Sequence, residues 1–222
     1  MGLTVPTAVY ASTDRENVEL ADVANTVAED MARHYDWQVL KTIATITGDG
    51  TTEDWSLPTD YGRQLQKAML WVASRPYYPL QHVTDTDTWL GIVTSDIQLS
   101  TGQWTIYGNQ VHIMPALASA DTAKYYYITK NIVDPVSGAN KEAFTLDTDT
   151  FLLDEKVLRL GIIWQWKANK GLPYAEDMAS YEMALAEAVG RDKGSKNITI
   201  GAQRVRGGLG DYEFAWPGTI TP

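Results

Sequence analysis

Two consecutive helical patterns between residues 151 and 194 constrain the fold more than any other part of the sequence. The sequence Gly171-Leu172-Pro173 separates them, and a glycine followed closely by a proline ends one helix and lets the next begin. From 157 to 166 the first helix has only two polar residues, Arg159 and Gln165. Apolar side chains therefore surround this helix instead of forming one stripe. It must be covered on several sides, by its own domain or by other subunits, which favours a component of an assembly over a solitary enzyme.

The two helices of this predicted hairpin have defined apolar faces. We expect the first to begin at a capping residue within Asp147–Thr150 and the second to end at Gly194. Gly161 lies among large apolar residues and would let another backbone approach closely. The apolar faces are Leu153, Val157, Leu160, Trp164 and Ala168 with Leu158, Ile162 and Trp166 on the first helix, and Tyr174, Met178, Tyr181, Leu185 and Ala188 on the second.

An amphipathic helix is predicted near the N-terminus. Thr13 and Glu16 have the spacing of a capping box, in which each side chain accepts from the other's backbone N–H. The pattern extends past Tyr35 toward Leu40, and the turn residues 48–50 end the segment. The apolar face comprises Leu20, Ala24, Val27, Met31 and Tyr35.

The region from Trp55 to Thr148 has a sequence pattern typical of β structure. Its best hairpin has strands at 104–107 and 110–114, because Gly108-Asn109 supplies two residues that tolerate positive φ. Another strand is predicted from Tyr125 to Ile132, whereas 63–72 fits either a helix or a strand.

These patterns predict an α+β fold, a helical bundle with an inserted antiparallel sheet or small barrel and an extended C-terminal arm. We assign residues 1–48 and 150–194 to the bundle and 49–149 to the β insertion. The arm would be 195–222, in which Ile198, Ile200 and Val205 could form a strand.

Charge is distributed unevenly along the chain. The net charge is −10, which disfavours non-specific binding of the bulk surface to nucleic acid. Residues 191–206 nevertheless hold five basic side chains against Asp192 alone, which indicates an interaction arm. The alternative is that two of these cations complement a helix C-terminus. The basic residues are Arg191, Lys193, Lys196, Arg204 and Arg206.

Motifs for catalysis or metal binding are weak. The pairs Asp85/Asp87 and Asp147/Asp149 are flanked by threonines, which is typical of turns and helix caps. The three histidines match no catalytic or zinc pattern, and His112 is interpreted as a strand residue that faces away from its neighbours Val111 and Ile113. The absence of cysteine excludes disulfides and thiolate metal sites. We expect no enzyme activity, cofactor or metal.

Two other classes of function stay open at this point. A carboxylate-dependent hydrolase would use the aspartate pairs. A carbohydrate-binding module would use some of the eight Trp and 12 Tyr residues, although most of these suit a core or an interface. No apolar run is long enough to span a bilayer, and the N-terminus lacks a signal-peptide pattern, so we expect folding in the cytosol that makes the protein.

Two segments resemble the head-to-tail adaptor (connector) proteins of tailed bacteriophages. They are LPTDYG at 57–62 and LGIIWQWKANKGLPYAEDMASYE at 160–182, and the order of helix, β insertion, helical hairpin and arm is also similar. The resemblance implies a structural virion protein at the head–tail junction, made in the host cytoplasm. Such adaptors form a ring beneath the portal, usually a dodecamer, and extend the DNA channel toward the tail. A tail-terminator or gatekeeper ring component is the nearest alternative.

The implied partners are the portal protein, tail or gatekeeper proteins and further copies of the chain. DNA would pass through without sequence-specific binding, and no membrane is involved. The apolar helix and the basic, aromatic arm are the natural contact regions. The predicted subunit and portal interface consists of Leu158, Ile162, Trp166, Arg191, Lys193, Lys196, Arg204, Arg206, Phe214 and Trp216.

Overall fold

The computed structural model describes residues 8–65, 68–95 and 101–193. Within these residues there are four α-helices and ten strands, which confirms the α+β class. In chain order they are α1 (Arg15–His34), a 3₁₀ turn (Gln38–Leu40), β1 (Lys41–Thr47), β2 (Asp54–Ser56), β3 (Tyr61–Gln64), β4 (Trp71–Val72), β5 (Gln81–His82), α2 (Thr86–Ser95), β6 (Gln103–Tyr107), β7 (Gln110–Met114), β8 (Thr122–Thr129), β9 (Val133–Asp134), β10 (Thr150–Phe151), α3 (Glu155–Asn169) and α4 (Ala175–Asp192).

The helices α1, α3 and α4 share one apolar core with the end of β8 and the segment that follows it. Gly161 of α3 lies against Val27 of α1 and Tyr181 of α4, so α3 packs between the other two helices. The side chains buried most deeply in this helical core include Ala28, Met31, Leu40, Val133 and Val157.

The strands form two larger sheets and one two-stranded ribbon. In the first sheet the order is β1-β8-β3, and β4 also pairs with β8; in the second it is β2-β7-β6-β5. Every pairing is antiparallel except that of β5 with β6. The two sheets bury one common core, whose members include Ala44, Ile46, Tyr125 and Tyr127 from the first sheet and Trp104, Val111 and Ile113 from the second.

The predicted β-hairpin is confirmed. Strands β6 and β7 pair from Gln103↔Met114 to Tyr107↔Gln110. Gly108 and Asn109 in the turn have φ values of 57° and 63°, the positive values that a two-residue turn of this kind requires.

The helical hairpin is also confirmed. Gly171 adopts φ +68°, and its N–H donates to the Ala168 carbonyl at 3.0 Å. The Leu172 N–H donates to the Lys167 carbonyl at 2.9 Å, so both carbonyls at the end of α3 are satisfied. The predicted cap Gly194 lies outside the described residues.

Predictions at the N-terminal helix were wrong in two respects. Helix α1 starts after Asp14 without a side-chain capping bond, so the Thr13–Glu16 capping box does not form. It also ends at His34, because Tyr35 is extended with φ −147°. The chain then enters β1, which lies within the segment 1–48 assigned to the helical bundle and pairs with β8.

Two other features differ from expectation. Helix α2 was missed, because the apolar run that begins at Trp89 in its ten residues also suits a strand. Helix α3 is capped by Asp154 rather than by a residue of 147–150: the Asp154 carboxylate accepts from the backbone N–H groups of Lys156 and Val157. The cap therefore lies later in the chain than predicted.

Candidate assembly surface

Helix α3 is covered mainly by its own chain. Val157, Leu158 and Gly161 on α3 are buried. These residues lie in the first half of the helix, and the buried residues of α4, Leu185 and Ala188, lie in the second half of that antiparallel helix. The core therefore covers the end of the hairpin farther from Gly171, and at the other end the Lys170 ammonium pairs with the Glu19 carboxylate of α1.

Three predicted interface residues on α3 pack within the chain. Leu158 is only 8% exposed, and Ile162 packs against the helical core. Trp166 is half-buried, and the Lys170 ammonium lies 5.7 Å from the centroid of its ring. The chain's own core covers Leu158, and the assignment of these three residues to a subunit interface stays a prediction.

Two predicted basic residues interact with side chains of the same chain. The Arg191 guanidinium is 3.4 Å from the Glu187 carboxylate and 3.9 Å from that of Asp154. The Lys193 ammonium lies 5.1 Å from the centroid of the Tyr35 ring. Arg191 also stands in the last turn of α4, where a cation complements the helix dipole. The other predicted interface residues, Lys196, Arg204, Arg206, Phe214 and Trp216, lie outside the described residues.

Apolar side chains that the sequence analysis did not assign to the interface are exposed around the turn of the hairpin. We define the tip surface as Leu172, Tyr174 and Met178, whose exposed fractions range from 36% to 46%. They line an open groove together with Pro173 and Glu182. The periodicity of α4 placed Tyr174 and Met178 on the inward face, but the core ends before it reaches them.

Aromatic side chains pack between α3 and α4 at the end of the hairpin near the turn. The Trp164 ring of α3 lies 6.3 Å from the Tyr174 ring and 6.1 Å from the Tyr181 ring. The Lys167 ammonium and the Asp177 carboxylate, 2.5 Å apart, add an ion pair between the two helices. The tip surface is thus a pre-formed surface on two paired helices.

The aspartates considered for catalysis act as caps and turn residues. The Asp85 carboxylate accepts from the Thr88 N–H at 2.9 Å at the start of α2. Asp147 accepts from the N–H of Val9 at 2.8 Å, and Asp149 accepts from two N–H groups of its own loop. The interpretation as cap and turn residues is confirmed for Asp85 and Asp149, whereas Asp147 binds the N-terminal segment at Val9 and Tyr10. Among the residues that the structure describes, no three His, Asp or Glu side chains gather as a metal site.

His112 occupies a structural position within the second sheet. Its Nδ1 is 2.6 Å from Asp54 Oδ1, and its ring stacks on Tyr107 with centroids 3.8 Å apart. The ring is 6.4 Å from that of Trp89 on α2, on the side opposite the core that contains Val111 and Ile113. The predicted orientation of His112 is confirmed, and hydrogen bonding and stacking account for its contacts.

Exposed apolar side chains on a helical hairpin are typical of a structural protein that contacts other proteins. The sequence model of the SU10 adaptor protein family matches residues 5–206. Because the match spans most of the chain, the protein belongs to this family, which confirms the resemblance found in the sequence. No curated protein matches the chain with significant similarity. No helix in the described part of the chain is long and apolar enough to cross a membrane.

Proposed function

We propose that this protein is a structural head–tail adaptor that assembles as a dodecameric ring beneath the portal and extends the DNA channel toward the tail. The observation that supports this role is the tip surface, three large exposed apolar side chains at the turn of the helical hairpin. Apolar clusters of this kind on a soluble protein mark contacts with other proteins. Membership of the adaptor family supplies the class of partner, portal and tail components.

The chemistry of the tip surface suits a protein contact. One of its three residues is Met178, whose flexible and polarisable side chain adapts to differently shaped partners. Glu182 lines the same groove and is exposed, which gives the apolar patch a polar rim. An apolar centre with a polar rim is the usual anatomy of a specific interface.

A closed ring requires each subunit to present two different surfaces, one to each neighbour. In this proposal the bundle segments 1–48 and 150–194 pack laterally, and the β region 49–149 faces the tail or the capsid. The segment 195–222 would reach the portal or an adjacent subunit. The net charge of −10 suits a channel through which DNA passes without being held.

The test is the mass of the protein in solution, alone and with portal, for wild type and two variants. Leu172→Glu places a carboxylate at the most exposed position of the tip surface, and Val136→Glu makes the same kind of change at an 80% exposed residue outside the helices. We expect wild type and Val136→Glu to form portal-bound rings and Leu172→Glu to fail.

Normal assembly of Leu172→Glu would show that the tip surface is not a contact surface. Rings that bind a tail component but no portal would instead favour the tail-terminator or gatekeeper role. Circular dichroism and thermal unfolding of both variants confirm that a failure to assemble does not come from misfolding.

A further inference from the structure

Strand β1 has one open edge. It pairs with β8 through seven residues, from Lys41↔Ile128 to Thr47↔Thr122, and with no other described strand. It contains neither proline nor glycine and has only one charged residue. A regular edge of this length with a single charged residue presents unpaired N–H and C=O groups to which another strand can bond. Proteins normally cover such edges.

Hydrogen bonds at the end of the sheet show which residues of β1 face the open edge. The Gly48 N–H donates to the Asp121 carbonyl at 2.8 Å, immediately beyond the last β1–β8 pair. Because hydrogen-bonded pairs alternate along an antiparallel ladder, Ala44 and Ile46 bond to β8, whereas Ile43 and Thr45 direct their N–H and C=O groups outward. The hydrogen bonds on the other edge of β8 follow the same alternation, since the Thr122 carbonyl accepts from the Ala73 N–H rather than from β1.

The described chain ends beside the beginning of this open edge. The Asp192 carboxylate accepts a hydrogen bond from the Gln38 N–H at 3.0 Å, and Gln38 is three residues before the start of β1. The Lys193 side chain reaches the neighbouring Tyr35 ring. Residues after 193 therefore start at the N-terminal end of β1.

The sequence that follows has the pattern of a strand. Within residues 196–201, KNITIG, the four residues 197–200 alternate polar and apolar side chains, and the family match continues through them to residue 206. An apolar surface is present where such a strand would run: Ile43 and its cross-strand partner Tyr126 are 51% and 52% exposed. Ile198 and Ile200 fall on one face of an extended segment and would lie beside Ile43.

We propose that residues 196–201 of the same chain add a parallel strand to the open edge of β1. The direction follows from the starting point, because a segment that leaves α4 beside Gln38 must run along β1 from its first residue toward its last. The pairing does not depend on ring assembly. It leaves 202–222 as the part that reaches partners, including Arg204, Arg206, Phe214 and Trp216, with a span of up to about 70 Å.

Amide hydrogen exchange of single residues tests this pairing in the full chain, at a concentration where the measured mass is that of one chain. The variant Ile198→Pro/Thr199→Pro removes two consecutive N–H groups, one of which must face β1 in any register. The control Gly208→Pro makes the same kind of change outside the proposed strand.

We expect the Ile43 and Thr45 amides to exchange at least about tenfold faster in the double variant than in wild type and in the control. Ala44 and Ile46 bond to β8 and should stay protected in all three proteins, which makes them internal controls for the integrity of the sheet. Equal exchange of Ile43 and Thr45 in all three proteins would overturn the proposal. Protection that appears only when copies associate would also overturn it, and would assign the edge to the arm of a second copy.

Discussion

Gly161 of α3 lies so close to Val27 of α1 that a Cβ atom at residue 161 would be 2.4 Å from Val27 Cγ1. The same atom would be 3.0 Å from Cε2 of Tyr181 on α4. The expected close approach at this glycine therefore exists, but neighbouring side chains rather than a backbone make it. Three helices meet at this one residue, and its lack of a side chain lets α3 fit between the other two.

Replacing Gly161 by alanine should lower the free energy of unfolding by about 1–3 kcal/mol, the usual penalty for overpacking a core. Alanine favours a helix over glycine by about 1 kcal/mol, so the steric penalty must exceed that gain. The matched control is Gly91→Ala in α2, where no atom lies within 4 Å of the new Cβ and stability should rise. Urea denaturation of both variants measures the difference, and a similar rise in both would contradict the packing described here.

Helix α3 should depend on its cap more than α1 does. Asp154→Ala removes the acceptor of two backbone N–H groups and should cost about 1 kcal/mol in the free energy of unfolding. Asp14→Ala changes the corresponding position of α1, where the side chain makes no capping bond, and should cost less than about 0.5 kcal/mol. Thermal unfolding compares the pair, and equal losses would mean that the Asp154 bonds contribute no stability.

Asp149 should make stability depend on pH in the acid range. Burial raises its pKa, but hydrogen bonds from Lys141 and from the N–H groups of Thr145 and Leu146 outweigh burial and hold the pKa at about 2. The ordinary value is about 3.9, so the unfolded chain binds the proton first. The resulting stabilisation is complete above about pH 5 and is lost progressively as the pH falls toward 2.

Denaturant titrations from pH 5 to pH 2 measure this dependence. The free energy of unfolding of Asp149→Asn should fall less steeply between pH 5 and pH 2, because residue 149 no longer titrates. Lys141→Met removes the strongest of the hydrogen bonds that lower the pKa of Asp149. The stability of this variant should therefore begin to fall at a higher pH than that of wild type. Identical pH profiles for the three proteins would show that the interaction is absent in solution.

Local patterns predicted the elements whose signals are contained in a few neighbouring residues. Gly171 and Pro173 fixed the helical hairpin, and Gly108-Asn109 fixed the β-hairpin, because few residues allow those backbone angles. Helix α2 was missed because its short apolar run, which begins at Trp89, is compatible with a helix or a strand. Only packing against the second sheet decides between these two structures.

The sequence by itself determined the family, the α+β class and the pair of antiparallel helices. The tertiary structure decided which apolar residues stay exposed. Helical periodicity places Leu158 and Met178 on faces of their helices, but it does not say how far along each helix the core extends. Burial of Leu158 depends on residues of α1 more than 100 positions away, and the exposure of Met178 follows from the end of that same core. Contacts between residues so distant in the chain cannot be inferred from a local pattern.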